Sequence, residues 1–79
     1  MVDENSFEKH VGDFLRIKRR QKFKIIEDIA DAASMSPAHL GKLERGEPSP
    51  YLYTIYRLWE ALDFDAEEMF NHIKDQSKR

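Results

Sequence analysis

The chain has 79 residues, with 13 Lys and Arg against 15 Asp and Glu and a net charge of −2. This length suits one small domain, which we predict over 6–75 with frayed termini at 1–5 and 76–79. Because cysteine is absent, disulfides and thiolate metal sites are excluded. No apolar run is long enough to span a membrane, and residues 1–5 lack the pattern of a signal peptide, so we expect a cytoplasmic protein.

Helix 1 is predicted over 6–22, with Ser6 as its N-cap and Phe7, Val11, Phe14 and Leu15 at helical spacing. Charge is segregated along the chain. Residues 16–24 hold six basic side chains and no acid, whereas 60–68 hold five acidic side chains and no base. Such a dipolar distribution fits either a phosphate-binding face or two solvated helix faces.

Helices 2 and 3 are predicted over 25–33 and 37–45. Ser36 is a good N-cap, and Pro37 occupies the first helical position, where its missing N–H costs nothing. Gly46 falls where a left-handed residue ends a helix. Two short helices joined by a few residues form a helix-turn-helix unit, which presents its second helix to the DNA major groove.

Helices 4 and 5 follow a stiff connection at 47–50, where two prolines oppose helix formation. Helix 4 is predicted over 51–62, and its apolar positions are expected to line a buried face: Leu52, Ile55, Leu58, Trp59 and Leu62. Helix 5 starts after Asp65. The fold class is therefore all-α with five helices. The tyrosines of helix 4 exceed what one core face can bury, which leaves core packing, an association surface and hydroxyls that reach phosphate open as alternatives.

An ordered set of residues runs through these helices from Val11 to Phe70. Its most specific element is Leu43-Glu44-Arg45-Gly46 with Pro50 four residues later, and the set also includes Gly12, Leu15-Arg16, Arg19, Glu27-Asp28-Ile29-Ala30, Ala33, Met35-Ser36, Leu40, Lys42, Leu52-Tyr53-Thr54-Ile55 and Glu60-Ala61-Leu62. This set resembles the repressor/Cro-type (XRE-like, lambda repressor-like) helix-turn-helix family. The resemblance implies a DNA-binding domain that acts as a transcriptional regulator, often as a homodimer.

The resemblance also implies roles for single residues. The family reads bases with the first two residues of helix 3 and with one a turn later, which are Pro37, Ala38 and Lys42 here, with His39 beside them. Phosphate contacts are expected from the basic run, the cap and the helix end, namely Arg16, Lys22, Lys24, Ser36 and Arg45. For Arg45 the alternative is that it only satisfies the C-terminus of helix 3. Arg19 and Glu44 are expected to form an ion pair between helices 1 and 3.

Dimers of this family commonly form through the last two helices. The surplus apolar and aromatic groups near that end are the predicted dimer surface: Tyr56, Phe64, Met69, Phe70 and Ile73. A small core is not expected to bury all of them. Two copies on one side of a duplex, about one helical turn apart, read a two-fold operator.

Several residues favour a different function, a protein-interaction module of the same fold such as an antirepressor or adaptor. Ile25 and Ile26 stand where the family often has a small polar residue and a phosphate-binding Gln. Pro37 has no donor, and Ala38 offers only a methyl group. A separate departure from the family concerns the boundary between helices 1 and 2. Lys24 falls there in place of a usual apolar residue, and Phe23 is the candidate to turn inward and fill the gap.

Enzyme function is the least favoured interpretation. No nucleophile, base and orienting group converge in the pattern. The three histidines, His10, His39 and His72, have no metal-ligand spacing, so we expect no metal and no cofactor. The predicted partners are therefore double-stranded DNA, a second copy of the chain and, in the alternative function, another protein.

Overall fold

A computed structural model describes residues 2–47 and 51–78. Over these ranges the chain forms five α-helices and no strand, in the order α1 (Glu4–Gln21), α2 (Ile26–Ala32), α3 (Pro37–Glu44), α4 (Leu52–Leu62) and α5 (Ala66–Gln76). The predicted all-α, five-helix class is confirmed. The connection predicted to be stiff lies, apart from Glu47, outside the described residues, as do the outermost residues of the two termini predicted to fray.

The first helix begins two residues earlier than predicted, so Ser6 is not its N-cap. The Asp3 carboxylate instead accepts from the Ser6 N–H at 2.8 Å and caps α1. This hydrogen bond holds the pKa of the Asp3 carboxyl below its ordinary value. Asp is as good an N-cap residue as Ser, so the helix can start at the earlier position.

Three helices end in the same way, with a left-handed residue and two backbone hydrogen bonds that reach back into the last turn. The left-handed residues are Phe23 with φ 57°, Ser34 with φ 55° and Gly46 with φ 77°. This geometry turns Phe23 outward and leaves it 95% exposed. The expectation that Phe23 fills an apolar gap is therefore wrong.

The core lies between all five helices and is built from aliphatic and aromatic side chains. Its fully buried members include Leu15, Leu40, Leu58 and Leu62. Phe14 and Phe64 meet edge to face, with ring centroids 5.2 Å apart. The helices α1 and α3 approach closely because Gly12 has no side chain: a Cβ there would lie 2.3 Å from the carbonyl oxygen of Leu43.

Burial corrects part of the predicted dimer surface. Phe64, Met69 and Ile73 belong to this core, so none of them is available to a second copy. They are buried because α5 packs against α1 and closes that side of the core. Tyr56 and Phe70 are exposed.

The predicted buried face of α4 also needs correction. Leu58 and Leu62 are buried and Ile55 is partly buried, but Leu52 is 84% and Trp59 is 41% exposed. At 100° per residue, Leu52, Tyr56 and Trp59 follow one another along a face about a quarter turn away from the buried one. We call Leu52, Tyr56 and Trp59 the α4 apolar stripe.

Candidate nucleic-acid interface

The segment from α2 to α3 has the geometry of a helix-turn-helix. Residues between Ala32 and Pro37 make the turn, and Leu40 and Ala33 are buried beneath it. The Ser36 hydroxyl accepts from the His39 N–H at 3.1 Å, and Pro37 opens the helix. Because Leu40 and Leu43 face the core, the opposite side of α3 faces outward.

An open concavity of about 590 Å³ lies between α2 and α3. It is lined by Arg19, Ile25, Ile26, Glu27, Pro37, Ala38, Gly41, Lys42 and Arg45. The structure thus brings together three predicted base readers, Pro37, Ala38 and Lys42, with Arg45. Lys42 is exposed, and no carboxylate among the described residues pairs with it.

Arg19 and Glu44 lie together behind this concavity as a bidentate pair. Arg19 Nε donates to Glu44 Oε2 at 2.7 Å, and Arg19 Nη2 donates to Glu44 Oε1 at 2.9 Å. The remaining terminal nitrogen, Nη1, donates to the Lys24 carbonyl oxygen at 2.9 Å. Only 11% and 5% of the two side chains are exposed, and the hydrogen bonds to Glu44 raise the pKa of Arg19. The pair fixes the end of α3 against α1.

The other residues predicted to contact DNA lie outside the concavity. Arg16 pairs with Asp13 on α1. Lys22 and Lys24 line a separate surface together with acidic residues of α2. The Ser36 hydroxyl serves the cap, and His39 is exposed beside the concavity without lining it.

One contact at this site was not predicted. Arg45 Nε donates to Glu47 Oε2 at 2.6 Å. The two residues are separated by Gly46, and a left-handed glycine reverses the chain direction, so the Arg-Gly-Glu order is the sequence signal that could have indicated this pair. Two apolar side chains at the start of α2 line the rim, Ile25 exposed and Ile26 partly buried against the core. They occupy positions where the sequence pattern indicated a departure from the family.

Exposed aromatic groups lie on α4. The Tyr56 and Trp59 rings have centroids 5.7 Å apart. The Arg57 guanidinium covers the Tyr53 ring at 5.2 Å and donates to the Ser34 carbonyl oxygen at 2.7 Å, which links α4 to the helix-turn-helix. Tyr53 is therefore partnered within the chain, whereas the α4 apolar stripe faces outward.

The described residues contain neither a group of metal-binding side chains nor a helix that could span a membrane. Within 2–47 and 51–78, no three His, Cys, Asp or Glu side chains are grouped so as to hold a metal ion. None of the helices in these ranges combines the length and apolar character needed to cross a membrane.

Comparison with known proteins gives matches among solved structures only, since no family model and no curated protein matches. The clp gene regulator ClgR from Corynebacterium glutamicum is 23% identical, with 89% of this chain and 91% of that chain covered and a TM-score of 0.83. The restriction-modification controller protein C.AhdI from Aeromonas hydrophila is 29% identical, with coverages of 78% and 94% and a TM-score of 0.74. The wild-type controller protein C.Esp1396I is 18% identical, with coverages of 92% and 96% and a TM-score of 0.81. These likenesses show that the chain has a five-helix fold of the helix-turn-helix type, with the unit at α2 and α3. They support the resemblance of the ordered residues from Val11 to Phe70 to the repressor/Cro-type, XRE-like family.

Proposed function

We propose that this protein is a transcriptional regulator that binds specific duplex DNA sequences, with α3 in the major groove. The observation that carries the proposal is the outward face of α3, where Ala38, Lys42 and Arg45 lie in one concavity backed by the Arg19–Glu44 pair. A helix that recognises bases needs such rigid support, because hydrogen-bond donors that are out of place no longer distinguish one base from another. Two of the similar structures are named as a gene regulator and a restriction-modification controller, which supports a regulatory role.

The reading chemistry of this face is sparse. Lys42 can donate to guanine O6 and N7, and the Ala38 methyl group can contact a thymine methyl. Pro37 offers no donor. We therefore infer that DNA shape and deformability supply part of the specificity.

The test is a selection of random duplex DNA with the pure protein, followed by a salt titration on the enriched sequence. We expect a defined enriched sequence and an affinity that falls with salt, with a log–log slope on the order of three to five for a dimer. If no sequence is enriched and binding shows no salt dependence, the protein does not act on DNA.

Substitutions then assign the roles of single cations. Lys42→Ala is expected to weaken binding to the enriched duplex by about 1–3 kcal/mol and to relax one base position in each half-site. Arg16→Ala and Lys22→Ala are the matched controls. They remove cations outside the concavity, so they should weaken enriched and scrambled duplexes alike. An equal loss of specificity from all three variants would contradict this assignment.

A second candidate function, a protein-interaction module, is favoured by the rim of α2. Ile25 is largely exposed and Ile26 lines the same concavity, so an apolar edge stands where a DNA-binding surface is usually polar. Binding of a protein at this edge would be insensitive to Lys42→Ala and lost in Ile25→Ser. The DNA selection above separates the two functions.

We also propose that the protein acts as a homodimer through α4 and α5. Tyr56 and Phe70 of the predicted surface remain available, and the structure adds Leu52 and Trp59 to them. Exposed aromatic and aliphatic groups on one helix face are typical of such contacts.

A further inference from the structure

We propose that Glu47 is a positioning residue that fixes the Arg45 guanidinium across the outer face of α3, so that Arg45 reads a base instead of holding a phosphate. The proposal rests on the DNA-binding function proposed above. It adds a second reader to a face on which Lys42 was the only strong donor, and it replaces the phosphate role predicted for Arg45.

The backbone places Glu47 for this task. Gly46 has φ 77°, so the chain turns back at the end of α3. The Gly46 N–H donates to the Leu43 carbonyl at 3.0 Å, and the Glu47 N–H donates to the Lys42 carbonyl at 3.0 Å. These two bonds are the full Schellman closure of a helix, which defines where the residue after the glycine lies. Glu47 is thus held beside the last turn of α3.

The side chains complete the arrangement. Glu47 Oε2 accepts from Arg45 Nε at 2.6 Å. The other end of the Arg45 side chain lies over Gly41, where a Cβ would be only 3.2 Å from Arg45 Nη1. A helical side chain leans toward the preceding turn, so residue 45 covers residue 41. The guanidinium is therefore held at one edge by a carboxylate and seated on a helix surface that has no side chain.

This geometry suits a base better than a phosphate. A guanidinium bound through Nε still presents its terminal amino groups, and two such donors match guanine O6 and N7. A side chain fixed before binding loses less freedom on contact. A phosphate contact carries no base identity, and the Glu47 carboxylate beside the guanidinium would repel the phosphate charge.

The pair contributes little to stability, because the side chains of Arg45 and Glu47 are 59% and 53% exposed. Variants at Glu47 should therefore fold normally, and their DNA binding can be compared directly with that of the wild type. Asp13 provides a control, since it forms another carboxylate–arginine pair at the surface, partly exposed, with Arg16 on α1.

The experiment measures the affinity for the duplex that the wild type enriches and for a scrambled duplex, and takes the ratio. Glu47→Gln keeps the size of the side chain and removes its charge. We expect the ratio to fall about five- to tenfold, with no loss of affinity for the scrambled duplex. Arg45→Ala should lower the ratio at least as much and abolish a guanine preference at one position. Adding Glu47→Gln to Arg45→Ala should change the ratio no further, because Glu47 acts through Arg45.

Asp13→Asn should increase the affinity for both duplexes equally, since it only removes the negative charge that pairs with Arg16. If Glu47→Gln gives that same pattern, Glu47 is an electrostatic screen and the proposal is overturned. It is also overturned if the ratio stays unchanged in Glu47→Gln, or falls again when Glu47→Gln is added to Arg45→Ala. If the wild type enriches no sequence, the proposed function itself fails and this inference fails with it. If the wild type does enrich a sequence but one of the contradicting results for Glu47→Gln is found, the proposed DNA-binding function stands and only the role of Glu47 is overturned.

Discussion

Glu44 and Glu47 both accept hydrogen bonds from an arginine, but burial separates their contributions. The Glu44 carboxylate binds Arg19 in the interior between α1 and α3, whereas Glu47 binds Arg45 in solvent. Removing one member of a buried pair strands the other charge, so Glu44→Ala should lower the free energy of unfolding by about 3 kcal/mol. Glu47→Ala should lower it by less than about 0.5 kcal/mol. Urea titrations of both variants measure the difference, and matched unfolding midpoints would exclude a structural role for the Arg19–Glu44 pair.

Gly12 and Gly41 both lie inside helices but differ in the space around them. A Cβ at Gly12 would lie 2.3 and 2.7 Å from the carbonyl oxygens of Leu43 and Glu44, so Gly12→Ala must push α1 and α3 apart. We expect a loss of about 2–3 kcal/mol in the free energy of unfolding. A Cβ at Gly41 meets only the flexible end of Arg45, at 3.2 Å. Gly41→Ala should therefore gain about 0.5–1 kcal/mol from helix propensity. Thermal unfolding of both variants tests the signs, and a stabilising Gly12→Ala would contradict the close approach of the two helices.

Some helix ends could be predicted from the sequence and others could not. The cap, the proline and the glycine of α3 mark its bounds directly, and the structure uses Ser36 and Gly46 as expected. The end of α1 carries no such mark, since a phenylalanine adopts the left-handed conformation that usually selects glycine or asparagine. The Glu47 contact escaped prediction because it depends on a chain reversal and not on helical spacing.

The left-handed Phe23 leads to a prediction for the turn between α1 and α2. An L-residue with a side chain pays about 1–2 kcal/mol in this conformation, and Phe23 is 95% exposed and buries little in return. Phe23→Gly should therefore raise the free energy of unfolding by about 0.5–1 kcal/mol after the higher entropy of glycine in the unfolded chain is counted. Phe23→Ala is the control, because it removes the ring and keeps the Cβ. Equal stabilities of these two variants in urea would show that the backbone at this position is not strained.

The pattern of apolar residues predicts five helices that share one core. It does not predict which apolar side chains stay exposed at the surface of the folded molecule. Helix 4 is apolar around much of its circumference, so periodicity alone assigned Leu52 and Trp59 to the wrong face. Helix 5 has the opposite problem: Met69 and Ile73 looked surplus, but contact with α1 buries them. Only the packing of helices on one another decides between these outcomes.

The exposed groups that result underlie the last prediction, a homodimer through α4 and α5. One copy presents few base contacts, so its affinity for a single half-site is low. A second copy, bound about one helical turn away, doubles the number of contacts with a two-fold operator. The α4 apolar stripe and Phe70 are the groups available for that contact. Sedimentation of the free protein at tens of micromolar should show a dimer, and Trp59→Glu should shift it to monomer by placing a desolvated charge in the contact. Phe23→Glu is the control, since it changes a more exposed aromatic residue that lies on the turn after α1, away from α4 and α5. A wild-type chain that is monomeric at this concentration and binds the enriched duplex one to one would rule out the dimer.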